Sequence, residues 1–291
     1  MESYLIDKEL QLLKRIKNEG LTPEVIVEFN HQLVSYYYEH GRDLPWRKTT
    51  NPYHILVSEI MLQQTQVERV KDKFEEFIRA FPDFLSLANA SVKEVLSIWQ
   101  GMGYNRRALA LKQVAQRVMD ECNGSLPQDV KTLITFPGIG EATASAILVY
   151  AFNIPVAYIE TNVRRVFIHF FFGERKGIRD DEIKPLVMQA LPKVNSREWY
   201  NSLMDYGAEL KKRGQNPNRK SASFAKQSQF KGSDRQMRGL ILREVLTEVS
   251  IDTRDLLQKM KISKRQLHRI LRALEDEGFI MQFGDKVKIA E

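Results

Sequence analysis

Thr135 to Val166 read TFPGIGEATASAILVYAFNIPVAYIETNVRRV, and the fold turns on this stretch. Phe136-Pro137-Gly138-Ile139-Gly140 predicts a tight turn, and Glu141, Ala142 and Thr143 open a small-residue helix behind it. Glycines on either side of one apolar residue let backbone amides converge without Cβ interference. The helix adds its unsatisfied N–H groups and the positive end of its dipole. That pairing suits a phosphate oxygen. An apolar run then leads to an acid, Glu160, followed by Asn162 and the basic pair Arg164 and Arg165. A phosphate grip ahead of a carboxylate fits a DNA substrate. The same residues also fit a plain helical hairpin with a glycine turn, in which Glu160 is an ordinary acid at a helix start.

Composition narrows the field. The chain has 291 residues, enough for one large or two unequal domains, and 43% of them are hydrophobic, enough for a real core. Lys and Arg number 44 against 37 Asp and Glu, a net charge of +7 that fits a polyanionic partner without demanding one. One cysteine, Cys122, excludes an internal disulfide and an all-cysteine metal cluster, and five scattered histidines give no zinc pattern. The first residues lack the layout of a secretion signal, and no apolar run approaches the ~20 residues of a membrane helix. The expectation is a soluble, intracellular, cytoplasmic monomer with no membrane contact.

Outward from the central stretch, the periodicity is helical. Residues 2–17 predict a helix, and 1–21 an N-terminal extension. Thr22-Pro23 opens the next helix, which ends at Gly41-Arg42-Asp43-Leu44-Pro45-Trp46. A helix over 53–70 carries Glu59 among Ile55, Leu56, Val57, Ile60, Met61 and Leu62, with Gln63, Gln64 and Thr65 at its far end. A carboxyl so placed either lies on an exposed stripe or loses solvent, which favours its protonated form. Amphipathic segments follow at 71–80, 91–99, 106–121 and 128–134, and Gly101-Met102-Gly103-Tyr104 marks a turn among them. β alternation is absent until the C-terminus, so the core is all-α.

Between Lys211 and Arg238 stand nine basic residues and one acid, an excess of eight. Asn, Ser, Gln and Gly fill the gaps, which predicts a poorly packed basic linker over 211–235, solvated or in phosphate contact through Lys211, Lys212 and Arg213. From residue 236 to 291, three helical patterns precede Phe279–Ile289, which alternates around Gly284-Asp285 as a β-hairpin does. Three helices and a hairpin predict a winged helix-turn-helix. Its third helix carries Arg265 and Arg269, suited to a DNA groove or to docking a protein.

Four blocks carry a resemblance to a known family: Leu44-Pro45-Trp46-Arg47 with Asn51-Pro52-Tyr53; SEIMLQQTQV at 58–67; Gly101–Tyr104; and 136–166. A weaker echo is Leu203–Ala208. In this order they resemble the helix-hairpin-helix (HhH-GPD) DNA glycosylases, the superfamily of endonuclease III. They are most similar to A/G-specific adenine glycosylases and to mismatch thymine/uracil glycosylases. The resemblance spans about residues 30–227. It implies a two-lobed helical core over 22–210, with a six-helix barrel at about 52–158.

It also implies roles. Glu59 is the acid that protonates the leaving base, Glu160 the carboxylate facing the sugar cation, and Asn162 its neighbour. Arg47, Trp46 and Ala142 line the base pocket. Gln63 and Gln64 fill the vacated stack and Tyr104 wedges beside them. Gly138, Gly140 and Thr143 hold the backbone, and a monovalent cation at the hairpin is allowed. The chain departs from the family pattern in four ways. Glu160 stands where aspartate is usual. Ala142 occupies the position of the lyase lysine, or of tyrosine or serine, so no Schiff base forms there. The iron–sulfur cysteine positions fall on Lys211, Asn218, Ser221 and Gln227, so no cluster is expected. A winged helix replaces the domain that senses oxidised guanine.

The resemblance therefore implies a monofunctional DNA N-glycosylase on double-stranded DNA, acting on adenine opposite oxidised guanine or guanine. A modified or mismatched pyrimidine, including hypermodified cytosine of phage DNA excised in defence, is the alternative. A non-catalytic DNA-binding regulator is a third.

Overall fold

The structure, a computed structural model, describes residues 2–225 and 232–290. The described residues form fifteen α-helices and one small sheet. In chain order they open with α1 (Glu2–Glu19), α2 (Pro23–His40) and α3 (Pro52–Leu62). Next come α4 (Val67–Ala80), α5 (Phe84–Asn89), α6 (Val92–Trp99) and α7 (Arg106–Glu121). The hairpin pair is α8 (Val130–Leu133) and α9 (Glu141–Phe152), followed by α10 (Thr161–Phe171), α11 (Asp180–Ala190) and α12 (Ser196–Lys212). The C-terminal part holds α13 (Asp234–Thr247), β1 (Ile251–Asp252), α14 (Thr253–Met260), α15 (Lys264–Asp276), β2 (Ile280–Phe283) and β3 (Lys286–Ile289).

Local chemistry sets these limits. Thr22 accepts from the Val25 amide with Pro23 at the first helical position, and Asp83 with Ser86 and Ser91 with Glu94 form reciprocal caps. Asp252 and Ser263 cap α14 and α15. The sheet order is β1-β3-β2, all antiparallel, with Ile280 opposite Ile289 and Phe283 opposite Lys286 around the expected Gly284-Asp285 turn. β1 is two residues long, too short to show a period in sequence.

The chain divides into two compact units. The first comprises residues 1–55, 128–134 and 140–226. Its core joins Leu12 of α1 and Phe29 and Leu33 of α2 to Phe167 of α10 and Trp199 and Tyr200 of α12. Phe29 meets Phe167, Phe170 and Phe171 edge-on at centroid distances of 5.6, 5.3 and 5.3 Å. α1 is thus built into this core. Glu9 is buried and accepts from Tyr206 (2.7 Å) and Arg213 (3.0 Å), and it meets His169 Nε2 at 2.6 Å. Burial pushes its carboxyl up, but the bonds from His169 and Tyr206 outweigh this and hold it below the usual range.

The second unit comprises residues 56–127, 135–139 and 227–291. The winged helix therefore belongs with α4–α7 rather than forming a body of its own. Arg106 at the start of α7 and Arg238 of α13 share the Glu277 carboxylate (2.6 and 2.5 Å), and α13 packs on α6. The segment expected as an unpacked linker is ordered over much of its described length. Pro217, Asn218 and Ser221 are buried, Asn218 donates to the Thr161 carbonyl, and Ser221 pairs with Ile178 as an isolated bridge. Lys226 and Lys231 of that segment lie outside the described residues.

Candidate active site

In the first unit the site begins with Glu160, the N-cap of α10. Its Oε1 accepts from the amides of Asn162 (2.5 Å) and Val163 (2.9 Å). Burial raises this carboxyl above its ordinary value, opposed by the two amide bonds and by the charges of Arg165 and Arg164. The Asn162 side chain is held in turn: its Oδ1 accepts from Arg165 at 2.6 Å, and the same Arg165 nitrogen donates to the Gly207 carbonyl at 2.6 Å. A Cβ on Gly207 would lie 2.7 Å from that of Asn162, so α10 and α12 meet there at a spacing only glycine allows. Sequence reasoning singled out Arg165 only as half of a basic pair. Its burial among apolar residues of α10 was the signal for a clamp.

In the same unit Trp46 is buried and Arg47 half-buried. Arg47 grips Asp205 through two nitrogens (2.7 and 2.9 Å), and Arg42 adds 2.5 Å to the same carboxylate. Burial raises Asp205, but Arg47 and Arg42 overcome this and hold it ionised. Arg47 is therefore a fixed wall whose charge is already matched. The echo at 203–208 now has content: Asp205 anchors Arg47, Tyr206 holds Glu9, and Gly207 admits Asn162.

Glu59 is half-buried on α3, flanked by buried Ser58 and Ile60. In the second unit the end of α3 and the turn after it are organised by Arg107, which sequence reasoning missed because one arginine on an amphipathic helix is unremarkable. Its buried guanidinium donates to the carbonyls of Ile60, Met61, Gln63, Met102 and Gly103 and to Thr65 Oγ1, at 2.5 to 3.3 Å. Desolvation without an acidic partner brings it down to about 10. Gln64 (φ +54°) and Tyr104 (φ +48°), on the two turns so joined, hold left-handed backbone. Such strain costs of order 1–3 kcal/mol and clusters at functional sites.

Gln63 donates to the Gly138 carbonyl (3.1 Å). Gly138 has φ +76°, and a Cβ there would lie 3.0 Å from that of Ala110. Gly140, extended, needs no glycine for its backbone; what it offers is open space at the start of α9. Ala142 is exposed and Thr143 half-buried in the first turn of α9.

The basic residues divide. Lys211 and Lys212 are exposed at the end of α12, whereas Arg213 turns inward onto Glu9 and Glu209 (both 3.0 Å) and is spent on the fold. Arg265 is exposed on α15, and Arg269 pairs with Asp234 (2.7 Å). The cluster positions do not suit iron. Lys211 and Asn218 carry no thiol, Asn218 is committed to Thr161, Ser221 bonds Ser223, and Gln227 lies outside the described residues. Among the described residues no helix is long and apolar enough to cross a membrane.

Comparison with known proteins gives the family. Residues 57–193 match the HhH-GPD superfamily of base excision DNA repair proteins. The chain is 32% identical to an adenine DNA glycosylase of Mycolicibacterium smegmatis over 87% of this chain and 93% of that protein. The chain belongs to the HhH-GPD superfamily. It is a DNA N-glycosylase, a hydrolase of N-glycosyl bonds. An adenine DNA glycosylase of Buchnera aphidicola is 33% identical over 62% of this chain and 52% of its own length. A thermostable thymine-DNA glycosylase structure superposes with TM-score 0.59 and 27% identity, covering 63% of this chain and 86% of that one. The C-terminal helices and hairpin lie beyond the matched residues 57–193, and the regulator without catalysis drops out.

Proposed function

We propose that this glycosylase extrudes adenine mispaired with oxidised guanine or guanine and hydrolyses its N-glycosidic bond without cutting the strand. The observation that carries the substrate is the similarity to an adenine DNA glycosylase along 93% of that relative's length. Glu59 gives the proton to the leaving base, the role of a partly desolvated carboxyl. Glu160, with Oε1 already engaged by two amides, presents the rest of its carboxylate to the positive charge developing on the sugar, the division of labour used in glycoside hydrolysis. Asn162, fixed by Arg165, keeps Glu160 company. The extruded base leaves a gap for Gln64 and Tyr104. The Gly138–Gly140 turn with the amides of α9 holds phosphate. Lys211, Lys212 and Arg265 add phosphate contacts, and no iron–sulfur cluster takes part.

Ala142 supports the absence of a lyase step, since the amine nucleophile is missing. Its small exposed side chain also favours a second reading, a bulkier modified pyrimidine as the target base. Duplexes carrying a panel of mispairs, lesions and modified cytosines test the two, read before and after alkali. Ala142→Tyr should block a bulky base and spare adenine. Release of modified pyrimidine alone overturns the adenine assignment.

A further inference from the structure

The second unit contains a cleft of about 980 Å³ that runs from the Gln64 and Tyr104 turns to residues with no role above. Its floor is the Gln63–Gln66 turn and the Gly101–Tyr104 turn, and its opposite wall is α13 of the winged helix. Six guanidinium and six carboxamide side chains line it, and no carboxylate does. Guanidiniums match phosphates, and carboxamides match base edges. Of its arginines Arg69 of α4, Arg243 of α13 and Arg106 are exposed, and Arg106 is taken up by Glu277. Tyr104, half-buried, brings to the cleft an aromatic ring of the kind on which bases stack. Its hydroxyl accepts from Arg235 (2.8 Å), and the guanidinium carbons of Arg107 and Arg235 lie 5.3 and 5.5 Å from its ring centre.

Resting on the glycosylase function, we propose that this cleft binds a length of DNA strand beside the base-extrusion turns. Phosphates lie on Arg69 and Arg243, and a base lies against Tyr104 as set by Arg235. The winged helix then acts on DNA through its first helix, α13, and not only through α15, whose basic face lines a separate cavity with Arg265, His268 and Arg269. Strained Gln64 and Tyr104 both line the cleft, which ties strand capture to extrusion.

The test uses the full chain and a duplex carrying a stable abasic analogue, so that binding is read without chemistry. Arg69→Ala with Arg243→Ala removes two exposed side chains, and the folded state is checked by thermal melting. The slope of log affinity against log salt should fall by about two, since each phosphate contact contributes about 0.9. Arg235→Ala should weaken quenching of 2-aminopurine placed opposite the abasic analogue. An unchanged slope together with unchanged quenching overturns the assignment, and so does a loss confined to Arg265→Ala with Arg269→Ala. Base release is measured separately. A wild type that releases no base refutes the proposed function, whereas normal release with unchanged binding by the variants refutes the cleft alone.

Discussion

Glu160 caps α10, and the mechanism proposed above gives the same carboxylate a second task at the sugar. As the cap of α10 it accepts two amide bonds, which favour its charge, while burial raises its carboxyl above the ordinary 4.5. A carboxyl raised on folding binds its proton more tightly in the folded chain. Its ionised form therefore costs stability at neutral pH, and the cost vanishes as pH falls. Glu160→Gln keeps an acceptor for both amides and removes the buried charge. The variant should melt at or above the wild-type temperature at pH 7, with the difference closing toward pH 4, while excision drops about 10²–10³-fold. A large fall in melting temperature with activity retained would make Glu160 a cap and nothing more. The same elevation places the acid limb of the wild-type rate profile above the value for a solvated glutamate, as a pH series of single-turnover rates will show. Sequence made this residue visible as an acid behind an apolar run. It left the cap and the charge-stabilising role undivided, because both need a carboxylate at that position.

At the scale of elements, two close junctions carry the site. The Gly207–Asn162 contact sets the approach of α12 to α10, and Gly207→Ala should cost about 1–3 kcal/mol by overpacking. Denaturant melts measure that cost, and the rate should fall too, since Asn162 moves with α10. Arg107 joins the end of α3 to the Gly101–Tyr104 turn through backbone carbonyls and the Thr65 hydroxyl. Arg107→Ala leaves buried acceptors unsatisfied, each worth about 1–3 kcal/mol. A melting temperature close to wild type would show that the two turns are held by other contacts. Most helix starts and caps were legible because they depend on neighbouring residues, but the helix expected over 53–70 ends at Leu62 and a new one starts at Val67, with left-handed Gln64 in the break. Arg107 and Gly207 were not legible, since their partners come from distant parts of the chain and no local period announces them.

For the whole molecule, sequence composition separated a core, a basic linker and a winged helix. The structure instead gathers the winged helix with residues 56–127 and packs part of the linker. One link in this grouping is Glu277, shared by Arg106 and Arg238, a contact across much of the chain that no sequence window contains. The bond from Arg106, joined by that from Arg238, holds this carboxyl below its usual range. The stabilisation it gives is present above its unfolded value and lost as pH falls through the folded one. Glu277→Gln should speed limited proteolysis between the winged helix and the rest at pH 7, and the contrast with wild type should shrink in acid. Unchanged digestion would place the grouping in apolar packing alone.

The catalytic claim joins Glu59 and Glu160 in one reaction on duplex DNA. Its most direct test is single-turnover base release from a duplex with adenine opposite oxidised guanine, comparing wild type, Glu59→Gln and Glu160→Gln. Wild type should release adenine and leave the strand whole until alkali is added. Glu59→Gln should bind the duplex normally and lose about 10²–10⁴-fold in rate, with Glu160→Gln similarly impaired. Release by Glu59→Gln and Glu160→Gln at near wild-type rates, or a strand cut without alkali, would contradict the mechanism.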